Sequence, residues 1–255
     1  MQTPIIFLHG FPFNGSCWDP QVVHFKNKTA VFNPDLRGHR DGPGTEKNEN
    51  LGPWMIAHFV EDLIKLLDEK NIKKVSLCGL SMGGYIALHF ISNFPERVQN
   101  LILCDTQAGA DNNESKSQRY ETIKNIQKNG LTDLAKSFSK KAISESTLKN
   151  NPQIQNQLES MILKNKAECI ALVVGALAAR NDFASSLSNI QCPTLIIVGS
   201  DDNITSPEIN KELAMKIPGA RFETISQAGH LSNLEKPEIF NSILEDFLMT
   251  CDQTS

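Results

Sequence analysis

Ser81 stands in Gly79-Leu80-Ser81-Met82-Gly83, a Gly-x-Ser-x-Gly spacing that holds a serine on a sharp turn between a strand and a helix. The flanks supply that context. Val75-Ser76-Leu77-Cys78 is a short apolar run, as a buried strand should be, and Tyr85-Ile86-Ala87-Leu88-His89-Phe90-Ile91 reads as a helix. A turn this tight strains the serine backbone and leaves no room beyond glycine at Gly79 and Gly83. A serine raised at a strand end, beside the free N–H groups of a helix start, is placed for nucleophilic attack. Its hydroxyl is a poor nucleophile alone. It needs a histidine to take the proton and a carboxylate to orient that histidine.

Among the six histidines, His230 has the right setting. It follows the apolar run Phe222-Glu223-Thr224-Ile225 and precedes a helix opening near Pro237, so it falls on a loop at a strand's C-terminal end. Asp201 and Asp202 follow Pro193-Thr194-Leu195-Ile196-Ile197-Val198-Gly199, the most convincing buried strand in the chain. The order is thus serine, aspartate, histidine, each just after a strand. His24, His58 and His89 lie at helical positions and read as packing or surface residues. Trp18 and Trp54 read as core.

From Ile5 to about Met249 the chain resembles the α/β-hydrolases, whose triad runs in this order. His9-Gly10-Phe11-Pro12 resembles the family's His-Gly loop, one side of the oxyanion hole. Pro34-Asp35-Leu36-Arg37-Gly38-His39 resembles its Pro-Asp-x-Arg-Gly-His turn, and Phe94-Pro95-Glu96-Arg97-Val98 its segment after the nucleophile helix. Gly199-Ser200-Asp201-Asp202 resembles Gly-x-x-Asp, whose last position carries the acid. The resemblance therefore implies Ser81, Asp202 and His230 as catalytic residues and the backbone N–H groups of Phe11 and Met82 as oxyanion donors. Asp105, after Leu101-Ile102-Leu103-Cys104, is the alternative acid, since some relatives take it from that strand.

Within the superfamily, the elbow is most similar to those of 3-oxoadipate enol-lactonases, small carboxylesterases and non-haem haloperoxidase-like enzymes. The implied activity is hydrolysis of a small carboxylic ester, thioester or lactone through an acyl-enzyme, with no cofactor and no metal. Perhydrolysis, aminopeptidase or lyase chemistry on the same triad, or non-catalytic binding of a small ligand, are the alternatives.

The elements that must position these residues follow. Strands are expected near 5–8, 30–33, 75–79, 100–104, 194–199 and 221–225, in an open, wholly parallel α/β sheet flanked by helices. Ile5 begins four residues after Met1, so the first two family strands, one of them antiparallel, are expected to be absent. Arg40-Asp41 departs from the small residue usual after Gly-His.

Between Asp111 and Asp182 the strand–helix alternation stops. Residues 115–128, 131–143, 152–164 and 167–180 carry apolar side chains at three- and four-residue intervals, with breaks at Asn112-Asn113 and Asn150-Asn151-Pro152. This division gives an α/β core of 1–110 and 183–255 and a helical lid of 111–182 over the C-terminal sheet edge. Phe138, Ile143, Leu158, Met161, Ile162, Val173, Val174 and Leu177 are its apolar set, of which a few line a pocket. The lid has 11 basic and 8 acidic residues, a net +3 in a chain of −4. A cationic lid favours substrates bearing a carboxylate.

The chain has 255 residues, 40% of them hydrophobic, enough for one α/β domain. A net charge of −4 points away from nucleic acid and from anionic membrane. The six cysteines (Cys17, Cys78, Cys104, Cys169, Cys192, Cys251) show no metal-type pairing and fit a reduced, cytoplasmic protein. No signal peptide or membrane span is read from the sequence. The expected partner is a small-molecule ester or lactone, and the expected state a monomer or homodimer.

Overall fold

Ile5–Leu8 (β1), Val31–Phe32 (β2), Val75–Leu80 (β3), Val98–Cys104 (β4), Thr194–Gly199 (β5) and Arg221–Ile225 (β6) pair into one sheet in a computed structural model that describes residues 3–46 and 52–253. Met1 and Gln2, included in the search for a leader, lie outside the described residues. The strand order is β2-β1-β3-β4-β5-β6 and every pair is parallel, as expected. The inner strands are apolar on both faces and buried throughout in β1, β3 and β5, because helices cover both sides of a parallel sheet. β2 is shorter than expected. Pro34 follows Asn33 there, and a proline has no N–H to extend the ladder.

The connecting helices are Asp19–Phe25 (α1), Ile56–Glu69 (α2) and Met82–Asn93 (α3). α2 buries Ile56, Phe59, Val60, Leu63 and Leu67, an i, i+3, i+4 stripe facing the sheet. After β4 come Asn113–Asn129 (α4), Thr132–Lys141 (α5), Glu145–Asn150 (α6), Gln153–Leu163 (α7) and Ala167–Ala178 (α8). These five form the helical lid region, with α4 packed on α8 and α5 on α7. At the expected break, Asn112 is the extended N-cap from which α4 begins, its side chain accepting from Ser115 N–H. The chain returns to the sheet and closes with Pro207–Lys216 (α9), Ser232–Glu235 (α10) and Pro237–Gln253 (α11). Among the described residues no helix is long and apolar enough to cross a membrane. Trp18 and Trp54 are buried, as expected.

β1 runs to β2 on one side, and β3 returns to the other side of β1. The chain therefore reverses between β1 and β3, where a crevice opens at the C-terminal strand ends. Two buried histidines stiffen the loops at that crevice. His9 Nδ1–H donates to Gly10 O (3.1 Å) and Nε2 accepts from Leu36 N–H (2.9 Å). His39 Nδ1–H donates to Arg37 O (3.0 Å), and the two rings meet edge to face at 4.7 Å. Next to it, Arg40 takes a left-handed φ of 41°. Its N–H donates to Asn165 Oδ1 in the lid region and its guanidinium pairs with Asp35 (2.6 Å). The departure at Arg40-Asp41 thus leaves an ordered, tied loop.

Burial, reinforced by the charge of Arg40, lowers the His9 pKa to about 4, and burial with the neighbouring His9 lowers His39 to about 3. An unfolded histidine protonates near pH 6.5. The unfolded chain therefore binds protons that the folded one refuses, and stability is full above about pH 6.5 and falls as the pH drops toward 4. Each histidine should cost on the order of 2 kcal/mol between pH 7.5 and 5. Urea unfolding of the wild type and of His39→Gln across this range checks it. The variant's profile should be flatter.

Candidate active site

Ser81 caps the junction of β3 and α3 with φ 53° and ψ −110°, a conformation costing about 1–3 kcal/mol for a side chain that is not glycine. Hydrogen bonds to its backbone hold it. Ser81 N–H donates to Cys104 O (2.9 Å), Gly84 N–H donates to Ser81 O (2.9 Å), and Thr106 Oγ1 donates to the same carbonyl (2.8 Å). The glycines are required by close approach. A Cβ at Gly79 would lie 2.3 Å from Gly83 O, and one at Gly83 2.2 Å from Leu8 O.

The structure brings Ser81, His230 and Asp202 together. Ser81 Oγ lies 2.8 Å from His230 Nε2, and His230 Nδ1 lies 2.8 Å from Asp202 Oδ2. A carboxylate only accepts, so Nδ1 carries the proton and Nε2 is left to accept from the serine hydroxyl. All three side chains are at most 8% exposed. Asp202 has every acceptor position engaged. Oδ1 takes Ile204 N–H (2.7 Å) and Thr205 N–H (3.0 Å), and Oδ2 also takes Thr205 Oγ1–H (2.8 Å). Burial pushes its pKa up, but the charge and hydrogen bond of His230 with the two backbone bonds outweigh burial and hold it below the usual carboxylate range.

Neither of the other acids reaches the histidine. Asp201 is exposed and accepts from Ser200 Oγ (2.7 Å). Asp105 is fully buried, with Gly199 N–H donating to Oδ1 (2.8 Å) and Ser232 Oγ donating to Oδ2 (2.6 Å). It thereby ties the end of β5, just before Asp202, to the start of α10, just after His230. Burial first, then the charge of Asp202, raises the Asp105 pKa well above the ordinary range. His24 pairs with Glu245, His58 accepts from Met55 N–H, and His89 packs against Phe183, all away from Ser81.

Ser81, Phe11 and Met82 share the wall of a cavity of about 150 Å³. Among the described residues neither the Phe11 nor the Met82 N–H has an acceptor. Both are therefore available to a ligand oxygen near Ser81. Lid residues close the cavity, with Phe138, Val174 and Leu177 from the expected apolar set. Met161 does not line it. It is partly buried and packs instead against the hydrophobic core. A larger depression of about 580 Å³ lies between the 34–46 loop and α2, and among the described residues no serine or histidine lines it.

A family model described as "alpha/beta hydrolase fold" matches residues 3–237. The chain belongs to the α/β-hydrolase family. It is 30% identical over 246 residues to 3-oxoadipate enol-lactonase 1 of Acinetobacter baylyi, covering 96% of this chain and 88% of that one. Among solved structures it resembles a thermophilic esterase from Thermogutta terrifontis (TM-score 0.91, 31% identity, covering 98% of this chain and 90% of that one). It also resembles the enol-lactonase from Burkholderia xenovorans (TM-score 0.87, 26% identity, covering 98% and 92%).

Several residues of this α/β-hydrolase site escaped sequence reasoning. Thr205 had a signal in its spacing three residues after Asp202, where Ser and Thr meet local acceptors. Glu235 had none. It accepts from Gly229 N–H (2.7 Å) beside His230, and from Ser144 N–H (2.9 Å) and Thr147 Oγ1 (2.6 Å) at the start of α6. Arg119, Thr122, Leu134 and Ile204 also line the cavity unannounced.

Asp202→Asn should cut turnover about 10³- to 10⁴-fold by offering the wrong partner to Nδ1–H. Asp201→Asn should change little. Asp105→Asn keeps an acceptor for Gly199 and should lose far less than Asp202→Asn. Steady-state kinetics of the three variants, with circular dichroism as the fold control, checks the assignment. A crippling loss at 105, with 202 largely spared, would move the acid to β4.

Proposed function

We propose that this α/β-hydrolase is a serine esterase that cleaves small carboxylic esters, thioesters or lactones through an acyl-enzyme. The observation that carries the reading is the unbroken hydrogen-bonded line from Ser81 Oγ through His230 to Asp202, opening on a small, mostly apolar cavity. In this reading Ser81 Oγ attacks the carbonyl carbon while His230 Nε2 takes its proton. Asp202 keeps the imidazole in the required tautomer and stabilises the imidazolium. The Phe11 and Met82 N–H groups meet the oxyanion as it develops, each such donor contributing about 10²- to 10³-fold. His230 then returns the proton to the leaving alkoxide or thiolate. Water, deprotonated by the same histidine, attacks the acyl-enzyme and frees Ser81. No step calls for a cofactor.

The relatives named enol-lactonase and esterase support this substrate class for the present chain. We also propose that 111–182 works as a lid that sets substrate choice and stays out of the chemistry. In support, the proposed triad and both oxyanion donors lie outside that segment, whereas Phe138, Val174 and Leu177 line the cavity. A cytoplasmic location and a monomeric or homodimeric state complete the reading.

A fluorophosphonate should label the protein once. Ser81→Ala should abolish labelling and lower turnover by on the order of 10⁴- to 10⁶-fold while the circular dichroism spectrum is kept. Labelling that survives this change refutes the nucleophile. Val174→Phe should shift the preference between acetate and butyrate esters by about 10- to 200-fold. Labelling by a small phosphonate should stay close to the wild-type rate.

A further inference from the structure

The cavity beside Ser81 is lined mainly by apolar side chains, and among the described residues Arg119 is its one charged side chain. Arg119 lies in α4. It donates from Nε to Asp111 Oδ2, leaving both Nη groups without a partner among the described residues. Asp111 is shared. Its Oδ1 accepts from Arg180 Nη1. Arg180 is itself buried behind the cavity, its guanidinium carbon 4.5 Å from the centre of the Tyr85 ring, and Tyr85 forms part of the cavity wall. Arg180 Nη2 is buried with no hydrogen-bond partner.

Two guanidinium groups thus meet one carboxylate, and each uses a single N–H on it where a bidentate pair would use two. One positive charge remains uncompensated. On α4 Glu121 pairs with Lys124, and Asp182, two residues past Arg180, accepts from Ala110 and Ala184 N–H groups; neither acid lines the cavity. Burial alone would raise the Asp111 pKa, but the bonds and charges of Arg119 and Arg180 hold it below the usual range, so the carboxylate stays ionised and fixes Arg119 in place. Thr122, close by on α4, lines the same wall with its hydroxyl donating to Gln118 O (2.9 Å), so Arg119 is left as this helix's free donor to the wall. A guanidinium held from behind, with its outer edge free in a largely apolar wall, is built to take a carboxylate.

We infer that Arg119 is a specificity-determining residue that binds a carboxylate on the substrate, so that the preferred esters or lactones are monoesters of small dicarboxylic acids or their cyclic equivalents. This rests on the serine-esterase reading. A cavity of about 150 Å³ is well below the roughly 300–1,000 Å³ of drug-sized sites. The carboxylate therefore stands only a few bonds from the scissile carbonyl. Arg180 supports Arg119 through Asp111 and makes no claim on the ligand.

The test compares monoethyl glutarate with ethyl valerate, esters of similar length that differ by one terminal carboxylate. Wild type should favour the anionic ester in kcat/KM. Arg119→Gln should lower kcat/KM for monoethyl glutarate about 10- to 100-fold more than for ethyl valerate, mostly through KM. Arg119→Lys should recover part of the difference. In Ser81→Ala, calorimetry should detect glutarate binding that the added Arg119→Gln removes. An equal loss on both esters, with no glutarate binding, would make Arg119 a structural tie only and overturn the inference while the esterase reading stands. Glutarate binding that depends on Arg119, in a protein that hydrolyses neither ester and is not labelled by the phosphonate, would keep the anion site and overturn the esterase reading instead.

Discussion

Everything at the site depends on the left-handed backbone of Ser81. The sheet supplies the force that holds it there. β3 delivers the residue, β4 accepts its N–H through Cys104 O, and Thr106 anchors its carbonyl. The same compression draws α3 so close to β1 that Gly83 has no space for a methyl group against Leu8. Strain of about 1–3 kcal/mol is small beside the burial of the strands around it. The fold can hold a serine where a free chain would not, and the hydroxyl then projects over the crevice between β1 and β3.

Two carboxylates close to each other show how position sets charge. Asp202 and Asp105 both follow core strands and both are buried. Asp202 is surrounded by donors and faces an imidazole, which favours the ionised form. Asp105 has two neutral donors, which favour the ionised form, but burial and then the repulsion of Asp202 outweigh them and favour the protonated form. One serves to orient His230 and the other to clamp the loops on either side. The identity of the residue type does not decide between these tasks, but the balance of burial, neighbouring charge and donors around it does.

Much of this could be read from the residues. The strands were legible because they are unbroken apolar runs that end in turns carrying Ser81, Asp202 and His230, and the parallel order follows from the helices between them. The shorter features were less so. α6 is six residues with one large apolar side chain, Leu148, which gives no period to detect. The cavity wall was the least legible part. Which of Leu134, Met161 and Val174 faces Ser81 is set by how α4, α5, α7 and α8 pack, and helix rotation within a lid leaves no mark on spacing alone. Glu235 lies 91 residues from Ser144, and a contact of that range has no local signature.

Glu235 also bears on how such a protein is recombined. Its carboxylate joins Gly229, next to the histidine, to Ser144 and Thr147 at the head of α6. A chimera that replaced 111–182 with a relative's helices would remove two of those three donors. It would leave the Glu235 carboxylate, bonded to Gly229 just before His230, facing an unmatched surface. The unit that can be exchanged is therefore not the inserted segment as chain order draws it. A transplanted lid has to bring its own partner for Glu235, or take position 235 along with it.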